Sequence, residues 1–294
     1  MISAPPPGGG TTLCEMLNIL NAYPLSKLGF HSAMSLHYLL EAMLFAYTDR
    51  NNYLGDPDFI KNPVERLVSE KYAAGIRTKI SDNRATAPEQ VQSDRTSNEG
   101  IHTTHYSIVD RYGNAVSVTY TINSYFGTGA IAGKTGFFLN NEMDDFTSKP
   151  GVPNSFGLVQ GNANAIAPGK RPLSSMTPTI VTKNGKVFIV TGSPGGSTIT
   201  TTVLQTIINV IDYGMDIQVA VDAPRIHYQG QPNFVVTEPY ALKSDVVKTL
   251  WEMGYRVVPF ITWGAAESIS VNPKTKFIYG ANDIRKPGGA AVGN

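Results

Sequence analysis

Thr103-Thr104-His105-Tyr106-Ser107-Ile108-Val109-Asp110, then Arg111-Tyr112-Gly113-Asn114, then Ala115-Val116-Ser117-Val118-Thr119-Tyr120-Thr121-Ile122-Asn123, is the stretch that decides how this chain folds. Residues 104–110 read as a strand, Tyr112-Gly113-Asn114 as a turn and 115–123 as a second strand. On the second strand Val116, Val118, Tyr120 and Ile122 share one face, and Ser117, Thr119, Thr121 and Asn123 share the other. Period-2 alternation on both sides of a turn predicts a β-hairpin. A threonine hydroxyl is a weak nucleophile until a base sits beside it. A free α-amine on the same residue, with a pKa of about 7.7–8.0, is such a base. Thr103 opening one strand, with Thr121 on the paired strand to orient it, suits that chemistry, which requires a cut between His102 and Thr103. Threonine is also a good strand former, so a purely structural reading stands beside the catalytic one.

On the N-terminal side, residues 81–100 are polar and read as an exposed, mobile segment in which a cut could be reached. Before it, Leu13, Met16, Leu17 and Leu20 form an i, i+3, i+4, i+7 stripe, with Thr11 or Thr12 as the cap. Residues 32–50 and 63–80 predict two more helices. The opening Pro5-Pro6-Pro7-Gly8-Gly9-Gly10 run has neither a basic nor an apolar region around it, so it reads as a loop and not as a signal peptide.

On the C-terminal side, 137–146 (FFLNNEMDDF) predicts a strand running into an acidic loop. Residues 148–171 predict a long Gly/Pro/Asn-rich loop, a common form for a lid. Strands at 179–182 and 186–191 pair across Asn184-Gly185, a hairpin signal. A glycine-rich loop at 192–197 leads into a helix at 198–213, and 216–222 and 243–253 also read as helices. Residues 255–260, 267–272 and 277–281 read as strands, the last two joined across 273–276. Hairpins among paired helices predict an α+β fold, antiparallel sheets covered by helices, rather than alternating βαβ units.

Bulk properties narrow the function. The chain has 294 residues, 41% of them hydrophobic, enough for a substantial core. A net charge of +1 with no basic stripe argues against nucleic acid or an anionic membrane surface as partner. The 203–211 stretch is too short to be a membrane-spanning segment. Cys14 is the single cysteine, which rules out an internal disulfide, and the five histidines form no zinc-protease pattern, so no metal or other cofactor is expected.

Other motifs carry chemistry beside plainer alternatives. Gly195-Gly196, at a strand-to-helix turn, can present backbone N–H groups to an oxyanion, although a tight turn explains them equally and no lysine follows to make a phosphate loop. Ser174 and Ser175 can bind a carboxylate, or belong to an ordinary turn. Glu142, Asp144 and Asp145 can hold an ammonium group, or be solvated loop acids. His105 and His227 read as structural, Met34 and Met43 as helix packing, and Cys14 as a small core residue.

Together, 103–110 (TTHYSIVD), 118–123 (VTYTIN), 140–146 (NNEMDDF), 171–176 (RPLSSM), 191–197 (TGSPGGS) and 53–59 (YLGDPDF) resemble the γ-glutamyltransferase (γ-glutamyl transpeptidase, glutathione hydrolase) family. The resemblance runs over essentially the whole chain. It implies an N-terminal-nucleophile αββα sandwich, partial in these residues because the upstream large-subunit region is not among them, a precursor that cuts itself before a threonine, and a heterodimer of large and small subunits. Residues 1–102 would be the end of the large-subunit region and 103–294 the small, catalytic subunit. Thr103 would be both the autoprocessing and the catalytic nucleophile, with Thr121 as its hydroxyl partner. Asn123, Glu142 and Asp145 would hold the α-amino end of a γ-glutamyl donor such as glutathione, and Ser174 and Ser175 its α-carboxylate. Gly195 and Gly196 would supply the oxyanion donors. The acceptor would be an amino acid, a peptide or water, and the location periplasmic or secreted. Phe156 sits in the lid where some members have tyrosine.

The resemblance also implies an upstream large-subunit region, with an export signal and an arginine that clamps the substrate carboxylate, which these 294 residues do not include. A catalytically inactive truncated homologue, serving as a binding or structural partner, is therefore the alternative to an enzyme.

Overall fold

Residues 1–90, 103–155 and 157–293 are described by the computed structural model. His102, residues 91–100 of the polar segment and Phe156 lie outside the described residues. In chain order the elements are β1 (Ile2–Ser3), α1 (Gly10–Leu20), α2 (Leu25–Leu28), α3 (Ala33–Tyr53), α4 (Val64–Leu67), α5 (Glu70–Arg77), β2 (Thr103–Val109) and β3 (Ala115–Thr121). There follow β4 (Thr179–Lys183), β5 (Lys186–Thr191), α6 (Ile199–Ile211), α7 (Ile217–Asp222), β6 (Ile226–His227), β7 (Val235–Thr237), α8 (Ser244–Glu252), β8 (Val257–Pro259), β9 (Ser268–Val271) and β10 (Ile278–Ala281).

The β2-β3 hairpin forms as its alternation predicts, in register from Thr103 opposite Thr121 to Val109 opposite Ala115. Its turn is tied by Asp110, whose Oδ1 accepts from the backbone N–H groups of Tyr112 and Asn114. The hydroxyl face is the one that points inward. Ser117 Oγ donates to the Thr191 carbonyl and accepts from Thr179 N, and Ser107 Oγ donates to the Glu267 carbonyl. The hairpin thereby docks on a five-stranded antiparallel sheet, β1-β4-β5-β9-β10, through hydrogen bonds as well as packing. The alternate residues Tyr106, Ile108, Val116 and Tyr120 face outward and are between 43% and 57% exposed.

Helices cover the other face of the large sheet. Ile189 of β5 packs with Ile217 and Val221 of α7, and the main core joins α1, α3 and α6 through Leu13, Met16, Leu40, Met43, Val203 and Leu204. Every residue of α3 from Ser35 to Asn51 is buried, polar ones included. A helix buried all round is central to its protein; here it brings His37, Glu41, Asp49 and Arg50 inside. The layers are helices, the five-stranded sheet, then the hairpin, an α+β arrangement.

Several expectations need correction. Helix α1 begins earlier than its apolar stripe: Gly9 is the N-cap, and Thr11 and Thr12 lie buried within the helix. The helix expected at 63–80 breaks in two because the Ser69 side chain accepts from Tyr72 N and starts a new helix, α5. The 81–90 part of the polar segment is docked, with Ala85 N donating to the Met253 carbonyl and Thr86 N to Glu41 Oε1. The opening Pro-Gly run is a loop as expected, but just ahead of it β1 adds a strand to the edge of the large sheet beside β4. Residues 137–141 form no strand, only an isolated bridge at Phe138, before a 3₁₀ turn at Glu142–Asp145. The small sheet β6-β7-β8 contains a parallel pair, β7 and β8, with α8 as its crossover. Parallel neighbours require such a connection, and strands of three residues show no readable alternation. Cys14 is half-buried rather than in the core.

Candidate functional site

Thr103 and Thr121 face each other at the open end of the hairpin, and Thr103 Oγ1 donates to Thr121 Oγ1 at 3.2 Å. Thr121 Oγ1 also accepts from Asn123 N at 2.8 Å. Asn123 sits at φ 73°, a left-handed conformation that asparagine tolerates better than most residues. That turn ends β3 and sends the Asn123 amide to the Asn141 carbonyl, while Asn141 Oδ1 accepts from Ser124 N. The end of β3 is thereby joined to the acidic 3₁₀ turn.

Glu142 and Asp145 of that turn face one another. Burial, then the Glu142 charge, pushes Asp145 up to about 8, and burial raises Glu142 as well. Asp144 differs from its neighbour, because its Oδ2 accepts from Ser155 N of the 148–171 loop. Buried Asn164 links this turn to the serine pair: its Nδ2 donates to the Asp145 carbonyl and its Oδ1 accepts from Leu173 N.

Ser174 and Ser175 follow. Ser174 Oγ accepts from Met176 N at 3.1 Å, and Ser175 Oγ accepts from Arg50 Nη2 at 3.1 Å. Among the described residues neither hydroxyl donates to a partner, so both protons are free to meet an anion. The loop is clamped from outside by the N-terminal run, where Pro7 O accepts from Ser174 N and Gly9 N donates to the Met176 carbonyl. Arg171, at the start of the same loop, points away. Its guanidinium and backbone N–H are taken by buried Asp56, with a further contact to Asp58, and the hydrogen bonds from Arg171 hold the Asp56 carboxyl far below the usual range.

Gly195 and Gly196 form a turn with φ of 142° and 56°, which a Cβ disfavours, and the 3₁₀ turn at Gly196–Thr198 runs into α6. The Tyr47 hydroxyl donates to the Ser197 carbonyl and holds this turn against α3. One cleft is lined by Thr103, Thr121, Asn123, Asp145, Ser174, Ser175, Gly196 and Arg50. Gly195 and Glu142 stand next to it without lining it. Thr103 also borders a larger cleft of about 540 Å³ that includes Glu267 and Lys286. His105 and His227 are buried and hydrogen-bonded, pushed down to about 4 by desolvation, and take no place in the narrow cleft.

A threonine hydroxyl pair, the Asp145 carboxyl and a serine pair thus meet at one cleft. Comparison with known proteins decides the family: the Gamma-glutamyltranspeptidase model matches residues 1–293. The chain belongs to the gamma-glutamyltranspeptidase family. It is 52% identical to a glutathione hydrolase proenzyme of Pseudomonas sp. (strain A14), over 100% of this chain and 52% of that protein. It is 48% identical to the glutathione hydrolase proenzyme of Escherichia coli (strain K12), over 96% of this chain and 48% of that protein. The chain spans about half the length of the curated relatives it matches. Among solved structures, a Helicobacter pylori gamma-glutamyltranspeptidase mutant superposes with a TM-score of 0.61 and 58% identity over 62% of this chain and 100% of that one. Cephalosporin acylase from Bacillus halodurans does so with a TM-score of 0.78 and 26% identity, over 96% of this chain and 49% of that one. The α+β fold is thus the N-terminal-nucleophile αββα sandwich that the motifs implied.

Within this gamma-glutamyltranspeptidase chain, sequence reading missed Arg50, Asp56, Gly9 and Asn164. The YLGDPDF segment pointed toward Asp56 without giving it a partner. Nothing local marks Arg50, which reaches Ser175 across a separation of 125 residues.

Proposed function

We propose that this chain carries a γ-glutamyl transfer or hydrolysis site, with 1–102 ending a large-subunit region and 103–294 forming the small catalytic subunit. The observation that carries this reading is the Thr103–Thr121 hydroxyl pair in one cleft with Asp145 and Ser175. In the processing step, Thr103 Oγ1 attacks the His102 carbonyl carbon and the Thr103 nitrogen leaves as a free α-amine. Water then hydrolyses the ester, giving a His102 carboxylate and restoring the hydroxyl. In turnover, that α-amine takes the hydroxyl proton as Oγ1 attacks the γ-carbonyl of the donor. The Gly195 and Gly196 N–H groups meet the oxyanion, and the proton passes to the departing amine. A γ-glutamyl-Thr103 ester remains, and water or the amino group of an amino acid or peptide then cleaves it.

Asp145, with Asn123 and Glu142 beside it, pairs with the donor α-ammonium, and the two serine protons meet its α-carboxylate. Glutathione fits as a donor because its glutamyl residue is free at both of these groups. The larger cleft beside Thr103 gives the acceptor a route to the ester. The outward apolar face at Tyr106, Ile108, Val116 and Tyr120 is where the large-subunit region docks. No described helix is long and apolar enough to cross a membrane, and a periplasmic or secreted location goes with the family.

The test is release of aniline from a chromogenic γ-glutamyl anilide, by this chain with and without a relative's upstream region. Turnover that needs the upstream region and is abolished in Thr103→Ala is the expected result. No turnover in either preparation would favour a non-catalytic partner.

A further inference from the structure

Arg50 has the largest of the fully buried side chains, 1% exposed at the end of α3. Its Nη1 donates to Asn51 Oδ1 at 3.0 Å and its Nη2 to Ser175 Oγ at 3.1 Å. Its Nε is buried with no hydrogen-bond partner. Among the described residues no carboxylate lies within ion-pair distance of this guanidinium, in contrast to buried Arg225 and Arg285, which are both paired. Burial of a cation without a counter-charge is costly, because desolvation is not repaid by an ion pair. The position facing the cleft indicates which anion would repay it. Arg50 lines the cleft beside the serine pair, and only Asp145 across it exerts a carboxylate's attraction on the guanidinium.

The bond to Ser175 has a directional consequence. By accepting from Arg50, Ser175 Oγ is left with its own proton and no described acceptor for it. A hydroxyl that accepts from a cation is also polarised into a better donor. We infer that Arg50 is a positioning residue for the α-carboxylate end of the donor: it aims the Ser175 proton into the cleft and sets a fixed positive charge behind the subsite. This rests on the γ-glutamyl reading above and adds to it a second-line cation supplied from residues 1–102, independent of any arginine brought from upstream.

The experiment uses the full chain together with the upstream region, and two anilides. One is γ-glutamyl; the other is 4-aminobutyryl, which keeps the amine and the scissile amide but lacks the α-carboxylate. Arg50→Gln should raise KM for the γ-glutamyl anilide about tenfold to a hundredfold, with kcat nearly unchanged. The kcat/KM for the 4-aminobutyryl anilide should stay the same. Arg50→Lys, which keeps the charge but loses the planar fork, should fall between, and it carries the test alone if Arg50→Gln does not fold. Combining Arg50→Gln with Ser175→Ala should cost less than the sum of the two single effects, since coupled residues are non-additive. Equal losses on both anilides, or additive effects of the two substitutions, would overturn the inference and leave Arg50 a packing residue. A parent protein inert on the γ-glutamyl anilide would instead contradict the proposed function, and the inference with it.

Discussion

Asp144 and Asp145 are adjacent acids with different surroundings, and on the proposed function they divide donor binding from scaffolding. Asp145 lines the cleft, whereas Asp144 is occupied by Ser155 N. Asp145→Ala should raise the donor KM about tenfold to a hundredfold, as loss of a hydrogen-bonded charge partner does, and Asp144→Ala much less. Steady-state kinetics on the γ-glutamyl anilide would show it, and equal effects would contradict the assignment. The same carboxyl gives a pH dependence. Asp145 is pushed up to about 8 by burial and by Glu142, so below that pH the free site holds a proton that an arriving ammonium must displace. The donor KM should therefore fall as pH rises from about 6 to about 8, and Asp145→Asn should flatten that slope. The stability sign is opposite. A folded carboxyl raised above its ordinary 3.8 favours folding at low pH and loses that contribution as pH climbs through 8. Asp145→Asn should consequently raise Tm at pH 8 and change it little at pH 4, read by thermal melts. Thr103, Thr121, Asp145 and the serine pair could be singled out because each sits in a compact local motif that resembles the family's, and these residues line one cleft. Arg50 was not, because its role exists only after α3 docks against a loop 125 residues away.

Elements place those residues, and here contacts between distant segments decide. The hairpin was readable because alternation and turn chemistry agree, yet its inward face is the polar one, which hydrogen bonds to the next sheet explain and alternation alone does not. The break at Ser69 shows a capping side chain overriding a pattern that could have continued. The serine loop depends on Gly9 in the same way. A Cβ there would lie 2.3 Å from Thr177 Oγ1 and 3.0 Å from the Ser175 carbonyl oxygen. Gly9→Ala should displace the serine pair and raise the donor KM severalfold or more, while Gly113→Ala, with open space around its Cβ, should leave KM unchanged. Donor kinetics on the two variants provide the comparison, and equal KM values would mean that the loop yields without moving the serines.

The whole molecule is tied together by a buried ionic cluster with no sequence signature. Arg225 pairs with Asp283, and Arg285 with Asp283 and Glu238, all nearly inaccessible to solvent. These bonds fasten the chain after β10 to the segments around α7 and β7. Asp283→Ala leaves buried Arg225 without a carboxylate partner and removes one of the two that Arg285 has, and it should cost about 3–5 kcal/mol, measured by denaturant unfolding. A loss below about 1 kcal/mol would mean that the cluster is not a structural tie. Sheets covered by helices were foreseen from hairpins and helical stripes, and the αββα layering from the family resemblance, but the short strands β6 and β7 were not, because two or three residues carry no period. The central claim is that Thr103, once freed as an N-terminus, is the atom-bearing nucleophile. Mass spectrometry of the chain with its upstream region, acid-quenched during turnover of the γ-glutamyl anilide, tests it most directly. A fragment beginning at Thr103 and a one-glutamyl mass increment on the peptide that contains it are expected, both absent in Thr103→Ala. Turnover by uncut chain, or a glutamyl increment on any other residue, would contradict it.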